Sequence, residues 1–364
     1  MKSLIIYLRK LDWILIVSVL LLIGFGLISI YSSSLGKGDF LNFQKQLIFS
    51  AAGLILLFLF SFFNYRLFRN DPFLILFLYL ICCLCLIGLF FFAPEIRGVK
   101  SWYKLGPLSF DPIDLTKLVL LLLLAKYFTI RHIELYRVSH ILFSGLYILL
   151  PSVLIFLQPN LGSVMILVSL WLVILIFSGI RIKPFLILML CGIILVSLSW
   201  QFLLKNYQKE RVLNFLQPQL EPLGMGWSQA QAKIAIGAGG LWGQGFAQGS
   251  QTQYGFLSEP QTDFIFAAIG EEFGLLGVAF LLILFLILIS RIIKIALASQ
   301  SNFPRLFSAG FAFLLVFQIF INMGMNLGLL PIIGLSLPLV SYGGNGLIVI
   351  CIGLGILQNI KINR

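Results

Sequence analysis

Charge is the scarcest property of this chain. Charged residues make up 10% of 364, acids number 13 and histidines two, whereas 60% of residues are hydrophobic. A soluble domain carries about 25% charged and about 45–50% apolar residues. That deficit leaves no room for a sizeable soluble domain. Histidine and cysteine are also too sparse for a conventional metal centre. His132 and His140 fall near one loop, and Cys82, Cys83 and Cys85 lack zinc-ligand spacing. With Cys191 and Cys351 they lie in apolar runs, where a thiol acts as a small apolar side chain. No cleavable leader is expected either. The opening apolar run is too long and no small-residue site closes it, so it reads as a first membrane helix.

What is present is apolar length, with a mean hydropathy of +1.05. A span needs roughly 20 apolar residues. The runs predict ten, near 13–34, 46–64, 72–93, 113–130, 139–157, 161–179, 184–203, 263–290, 304–321 and 339–359. The expected fold is an all-α polytopic membrane protein. It is one membrane domain over 1–364, with a large extracytoplasmic loop, about 204–262, between the seventh and eighth helices. Ten spans put both termini on one side. Fifteen of the 25 Lys and Arg fall on that side and make it the cytoplasm, while only Asp12, Asp71 and Glu134 of the acids share it. The net charge of +12 is thus explained by topology and anionic membrane lipid, and no nucleic-acid partner is expected.

Three outer segments are rich in polar residues, Gly and Pro. They are 93–117 (APEIRGVKSWYKLGPLSFDPIDLTK), 204–262, and 322–346 (NMGMNLGLLPIIGLSLPLVSYGGNG). Irregular backbone at membrane depth is tolerated only against protein or a wet cavity. The last segment therefore reads as a re-entrant or broken helix, a feature that enzymes and transporters share.

The densest signal is QTDFIFAAIGEEFG, 261–274. Carboxylates at a membrane boundary are costly and are kept for a task or a partner. With a helix starting near Thr262, Asp263 falls in its first turn, as a cap or as a general base facing a cavity. Glu259, Glu271 and Glu272 nearby favour the second reading, because clustered acids must share protons or face cations. Gly270, Gly274 and Gly277 read as a close-packing stripe. The glycine-rich stretch 234–257 reads as a packed, turn-rich loop or as a pyrophosphate contact, with Arg211 and Lys233 as candidate anion partners. In the first loop, Lys117 stands three residues beyond Asp114. The two form a structural ion pair or a cation held near a lipid phosphate.

Together these motifs resemble the SEDS family (shape, elongation, division and sporulation) of bacterial cell-wall synthases. The resemblance runs from Leu11 to the end. It is densest at IAIGAGGLWGQGF, FLSEPQTDFIFAAIGEEFG and NMGMNLGLLPIIGLSLPLVSYGGNG, and its details fit the elongation branch. It implies a peptidoglycan glycosyltransferase that polymerises lipid II during cell elongation and releases undecaprenyl pyrophosphate. It implies Asp263 as the catalytic residue, and Trp102, Asp114 and Lys117 as substrate contacts. Arg211, Lys233, Glu259 and Glu271 complete the expected substrate-binding set. The reaction would be an inverting transfer. Its leaving-group charge would be offset by Arg211, Lys233, Lys117 or a divalent cation (Mg or Mn). The implied partners are nascent glycan, a class B penicillin-binding protein transpeptidase and other elongation-complex proteins. The implied place is the bacterial inner membrane, with both termini cytoplasmic and the active site outside.

Several positions depart from the family pattern. DPIDLTK stands for QPSE-x-x-K, Asn160 for the acid of QPDLG, and Asn345 and Gly346 for small hydroxyl residues after SYGG. Gln261 leaves no imidazole beside Asp263. Two other classes are weighed against the enzyme: a flippase of lipid II or another amphiphile, and a non-catalytic scaffold for a transpeptidase.

Overall fold

The predicted apolar runs fold as helices. The computed structural model describes residues 7, 9–94, 102–105, 108–131, 138–202, 204, 208–210, 213, 215 and 225–363. In chain order the helices are α1 (Trp13–Lys37), α2 (Leu41–Phe62), α3 (Pro72–Phe92), α4 (Pro112–Arg131), α5 (Val138–Leu157), α6 (Leu161–Phe177), α7 (Ile182–Phe202), α8 (Met225–Gly239), α9 (Ile265–Leu297), α10 (Asn302–Asn326) and α11 (Gly344–Ile362). Among the described residues, eight are long and apolar enough to cross a membrane. They are α1, α2, α3, α5, α7, α9, α10 and α11. The two other predicted spans also form. α6 is a shorter apolar helix, and α4 is 20 residues long but carries Asp114, Lys117 and Lys126.

Helix starts follow local chemistry. Asp12, Asp71 and Asn160 cap α1, α3 and α6, each accepting a backbone N–H from the first turn. Pro72 opens α3, where its missing N–H costs nothing. The core lies between α1, α2, α3, α4, α6, α9, α10 and α11, with α5 packed on it. Glycines let α2 and α11 approach closely. A Cβ at Gly355 would fall 2.6 Å from the Leu57 carbonyl oxygen, and one at Gly53 would fall 2.7 Å from a Leu347 methyl. Phe303, Phe307 and Phe311 stack along α10. By contrast, no residue of α7 is buried.

The segment 204–262 contains α8, so part of the glycine-rich stretch read as loop is helix. Ala, Gln and Lys in MGWSQAQAKIAIGAG favour it. Its end packs against α9: a Cβ at Gly239 would fall 1.9 Å from the Gly270 carbonyl oxygen. The predicted glycine stripe is therefore a contact in part, but Gly274 does something else. It stands at φ 63, ψ −162 inside α9 and kinks it. The loop after α8 is stitched across the kink. Gln244 and Gly245 donate to the Glu271 and Glu272 carbonyls, and Leu275 and Leu276 donate to the Gly240 and Leu241 carbonyls. The Gln244 and Gly245 N–H groups are thus spent on α9 and are not offered to a pyrophosphate.

The outer segment 322–346 takes the broken form of the two expected. After α10 ends at Asn326 the chain runs irregularly to Gly343, with no re-entrant helix among its described residues. Between α3 and α4, Tyr103–Leu105 (β1) and Leu108–Phe110 (β2) pair antiparallel, with Lys104 opposite Ser109.

Candidate active site

Asp263 lies in the turn before α9, not in its first helical turn, because the helix begins at Ile265 with Phe264 as N-cap. The turn is held by buried amides. Asn322 and Asn326, one turn apart on α10, both donate to the Asp263 carbonyl, at 3.1 and 2.9 Å. Asn326 also accepts the Ala267 N–H, and Asn322 donates to the Leu335 carbonyl. Ser341 donates to the Thr262 carbonyl and the Tyr342 N–H to the Gln261 carbonyl. Gln46 spans the Ser341 carbonyl and the Gly343 N–H, while Gln261 joins Asn42 to Ser34. A buried amide without a partner is costly. Here each is satisfied, so the backbone around Asp263 is fixed from three helices.

A cavity of about 630 Å³ opens beside it. Strand alternation explains one wall, because successive side chains face opposite ways. Trp102, Lys104, Ser109 and Asp111 share a parity across the hairpin register and all line the cavity. Tyr103 points the other way and donates to the Cys85 carbonyl at 2.5 Å. The remaining lining includes Lys45, Asp114, Lys117, Asn160, Ser163, Asp263, Tyr342 and the Gly343–Gly346 turn. Asp114 and Lys117 pair at 2.8 Å across one turn of α4. Burial, and then neighbouring Asp114, pushes the Asp111 carboxyl up to about 7, against the pull of the Ile113 N–H and Lys117. Burial also raises the Tyr342 phenol, which stays a neutral donor.

The structure thus brings Asp263, Trp102, Asp114 and Lys117 together. Three other expected contacts lie elsewhere. Glu271 is fully buried away from the cavity and accepts from the Gln251 and Thr252 N–H groups and the Thr252 hydroxyl. Its carboxylate anchors the helical turn Ser250–Gln253 to α9, so it is withdrawn as a substrate contact. Glu259 is exposed with φ 45, and its carbonyl accepts from the Thr262 and Phe264 N–H groups, ordering the Asp263 turn. Lys233 is exposed on α8 beside Gly328, outside the cavity lining. Arg211 lies outside the described residues.

Sequence reasoning missed Lys45 and the supporting amides. Lys45 reads as an ordinary charge flanking the second span. Asn322 and Asn326 carried a usable signal, since two amides four residues apart in an apolar run demand partners.

A family model described as a cell cycle protein, FtsW/RodA/SpoVE, matches residues 12–364. The chain belongs to this SEDS family. Escherichia coli (strain K12) peptidoglycan glycosyltransferase MrdB is 36% identical over 288 residues, covering 79% of this chain and 78% of that protein. Stage V sporulation protein E of Bacillus subtilis (strain 168) is 32% identical, covering 96% of each. Among solved structures, a chain from a peptidoglycan synthase complex, described as coordinating polymerization and crosslinking, superposes with TM-score 0.84 at 33% identity. It covers 97% of this chain and 98% of its own. Thermus thermophilus rod shape determining protein RodA superposes with TM-score 0.72 at 31% identity, covering 97% of both. The protein is RodA-like within the SEDS family, and its polytopic helical fold is that of these relatives.

Proposed function

We propose that the protein is a peptidoglycan glycosyltransferase that polymerises lipid II during cell elongation, with Asp263 as its general base. The observation that carries this is the shared cavity. Asp263 faces one space with Asp111, Asp114, three lysines, the Trp102 ring and the amino end of α11. A carboxylate can take the proton of an attacking sugar hydroxyl. The new glycosidic bond forms at the anomeric carbon as its bond to the pyrophosphate oxygen breaks, so the centre inverts. Undecaprenyl pyrophosphate leaves with the electron pair. Lys45, Lys104 and Lys117 offset that developing charge, and Asp114 fixes the Lys117 ammonium. Trp102 offers an apolar face to the sugar.

A divalent cation remains part of the proposal in a limited form. Among the described residues no group of three or more His, Cys, Asp or Glu side chains could hold one. Mg²⁺ takes one or two carboxylates plus substrate phosphates. Asp111, once ionised, and Asp263 both line the cavity and would be the carboxylates to hold it, whereas Asp114 is paired with Lys117. A bound cation would neutralise pyrophosphate charge.

The long apolar spans and the distribution of Lys and Arg support a bacterial inner-membrane location, with cytoplasmic termini and an outward-facing cavity. The likeness to a chain of a peptidoglycan synthase complex supports a class B penicillin-binding protein partner.

The test is glycan polymerisation from lipid II by the purified protein, alone and with its cognate transpeptidase. Removing a general base costs about 10²–10⁴ in rate. Asp263→Ala and Asp263→Asn are expected to lose at least that while keeping the wild-type melting profile. Polymer made by folded Asp263→Ala at the wild-type rate would end the assignment.

A further inference from the structure

We infer that Asn345 is a positioning residue that clasps the β1–β2 hairpin to the amino end of α11 and so sets the span of the cavity. The inference rests on the glycosyltransferase reading for its effect on catalysis, and on geometry alone for the clasp.

Six residues in two short strands do not hold a fixed position unaided, since an isolated two-stranded hairpin is marginal. This hairpin carries Trp102, Lys104, Ser109 and Asp111 on its cavity face. Its outer face is tied to α3 through Tyr103 and Cys85. On the cavity side, the Asn345 side-chain amide donates to the Ser109 carbonyl at 2.9 Å, joining residues 236 apart in sequence. Ser109 is the register partner of Lys104, so this bond fixes the strand pair at the rung that presents the lysine.

The turn that supplies Asn345 is closely packed. A Cβ at Gly344 would fall 2.2 Å from the Phe49 ring, and one at Gly346 would fall 3.2 Å from the Asp114 carboxylate. Asn345 is flanked by two glycines, Gly344 where a Cβ would clash and Gly346 where it would fit tightly. It is the one position of Gly344–Gly346 with a side chain to extend across the opening. A serine hydroxyl there would stop an atom short of the amide nitrogen.

The test uses the full-length protein and four variants: Asn345→Ala, Asn345→Ser, Asn345→Asp and Asn345→Gln. Asp matches Asn in shape but its carboxylate cannot donate to a carbonyl. Gln keeps the donor. The first readout is hydrogen exchange of the hairpin amides without substrate. One hydrogen bond contributes about 1 kcal/mol net. Ala, Ser and Asp are expected to speed hairpin exchange about fivefold, while Gln stays nearer wild type and α10 amides do not change. The second readout is polymerisation. Ala, Ser and Asp are expected to raise KM for lipid II about three- to tenfold, with kcat changed less than twofold and Gln restoring KM. Unchanged hairpin exchange in both Ala and Asp variants would overturn the clasp. Faster exchange with an unchanged KM would overturn its role in the site. An inert wild type would instead overturn the glycosyltransferase reading, and the exchange data would still decide the clasp.

Discussion

Asp111 and Asp114 stand three residues apart at the head of α4, and Lys117 pairs directly with Asp114, at 2.8 Å. Asp111 accepts the Ile113 N–H at 2.8 Å and faces the cavity. Its pKa in the fold, about 7, lies above the ordinary 3.8, chiefly through burial. Folding therefore favours its protonated form. The stabilising effect is full below about pH 4 and is lost as pH rises through about 7. Wild-type melting temperature is expected to fall over that window, and Asp111→Asn is expected to flatten the fall and to melt higher than wild type at pH 8. Identical pH profiles for the two proteins would refute the assignment. The same residues show what sequence can yield. Trp102, Asp114, Lys117 and Asp263 sit in recognisable motifs, and the structure gathers them. Glu271 was misplaced because proximity along a chain is not a shared space. α9 starts at Ile265 and carries Glu271 about 9 Å along its axis from there, past a different set of neighbours. Lys45 was invisible because a lysine at a helix end needs no special explanation.

At the scale of elements, apolar length located every predicted span, whereas the kink in α9 had no such signal. Three glycines four and three residues apart fit a smooth packing stripe as well as a break. What separates them is φ, which periodicity does not encode. At Gly274 a Cβ would meet the Gly243 nitrogen at 2.3 Å and the Leu241 carbonyl oxygen at 2.7 Å. Gly274→Ala is therefore expected to cost more than the about 1–3 kcal/mol of backbone strain alone. It should also release the loop after α8, seen as faster exchange at residues 240–245. Gly237 in α8 is the control. Its Cβ would meet nothing within 4 Å, and its φ is not positive. Gly237→Ala is expected to stabilise by roughly 0.5–1 kcal/mol. Equal effects of the two substitutions, measured by thermal unfolding in detergent, would mean that the kink does not hold α8 against α9. The join matters to function because the first half of α9 and the Asp263 turn both lean on it.

Across the whole molecule, the cavity sits at one end of the helices and an ion cluster ties the other. Asp12 is buried and caps α1. It accepts three hydrogen bonds from Arg291 of α9 at 2.6–3.1 Å and lies 3.7 Å from Lys361 of α11. Gln358 of α11 spans its backbone N–H and carbonyl. First, eighth and last spans are thereby joined at the end remote from Asp263. Breaking a buried ion pair by removing one partner costs about 3–5 kcal/mol, and the partial exposure of Arg291 places Asp12→Ala near the low end. Asp12→Asn keeps the oxygen that caps Leu15, so it should destabilise less than Ala by about 1 kcal/mol, the worth of a cap. Both variants should leave KM for lipid II at the wild-type value, because neither touches the turn held by Asn322 and Asn326. A changed KM would mean that the two ends are coupled through α9 and α11. In that case the ion cluster would belong to the catalytic cycle and not to the scaffold alone.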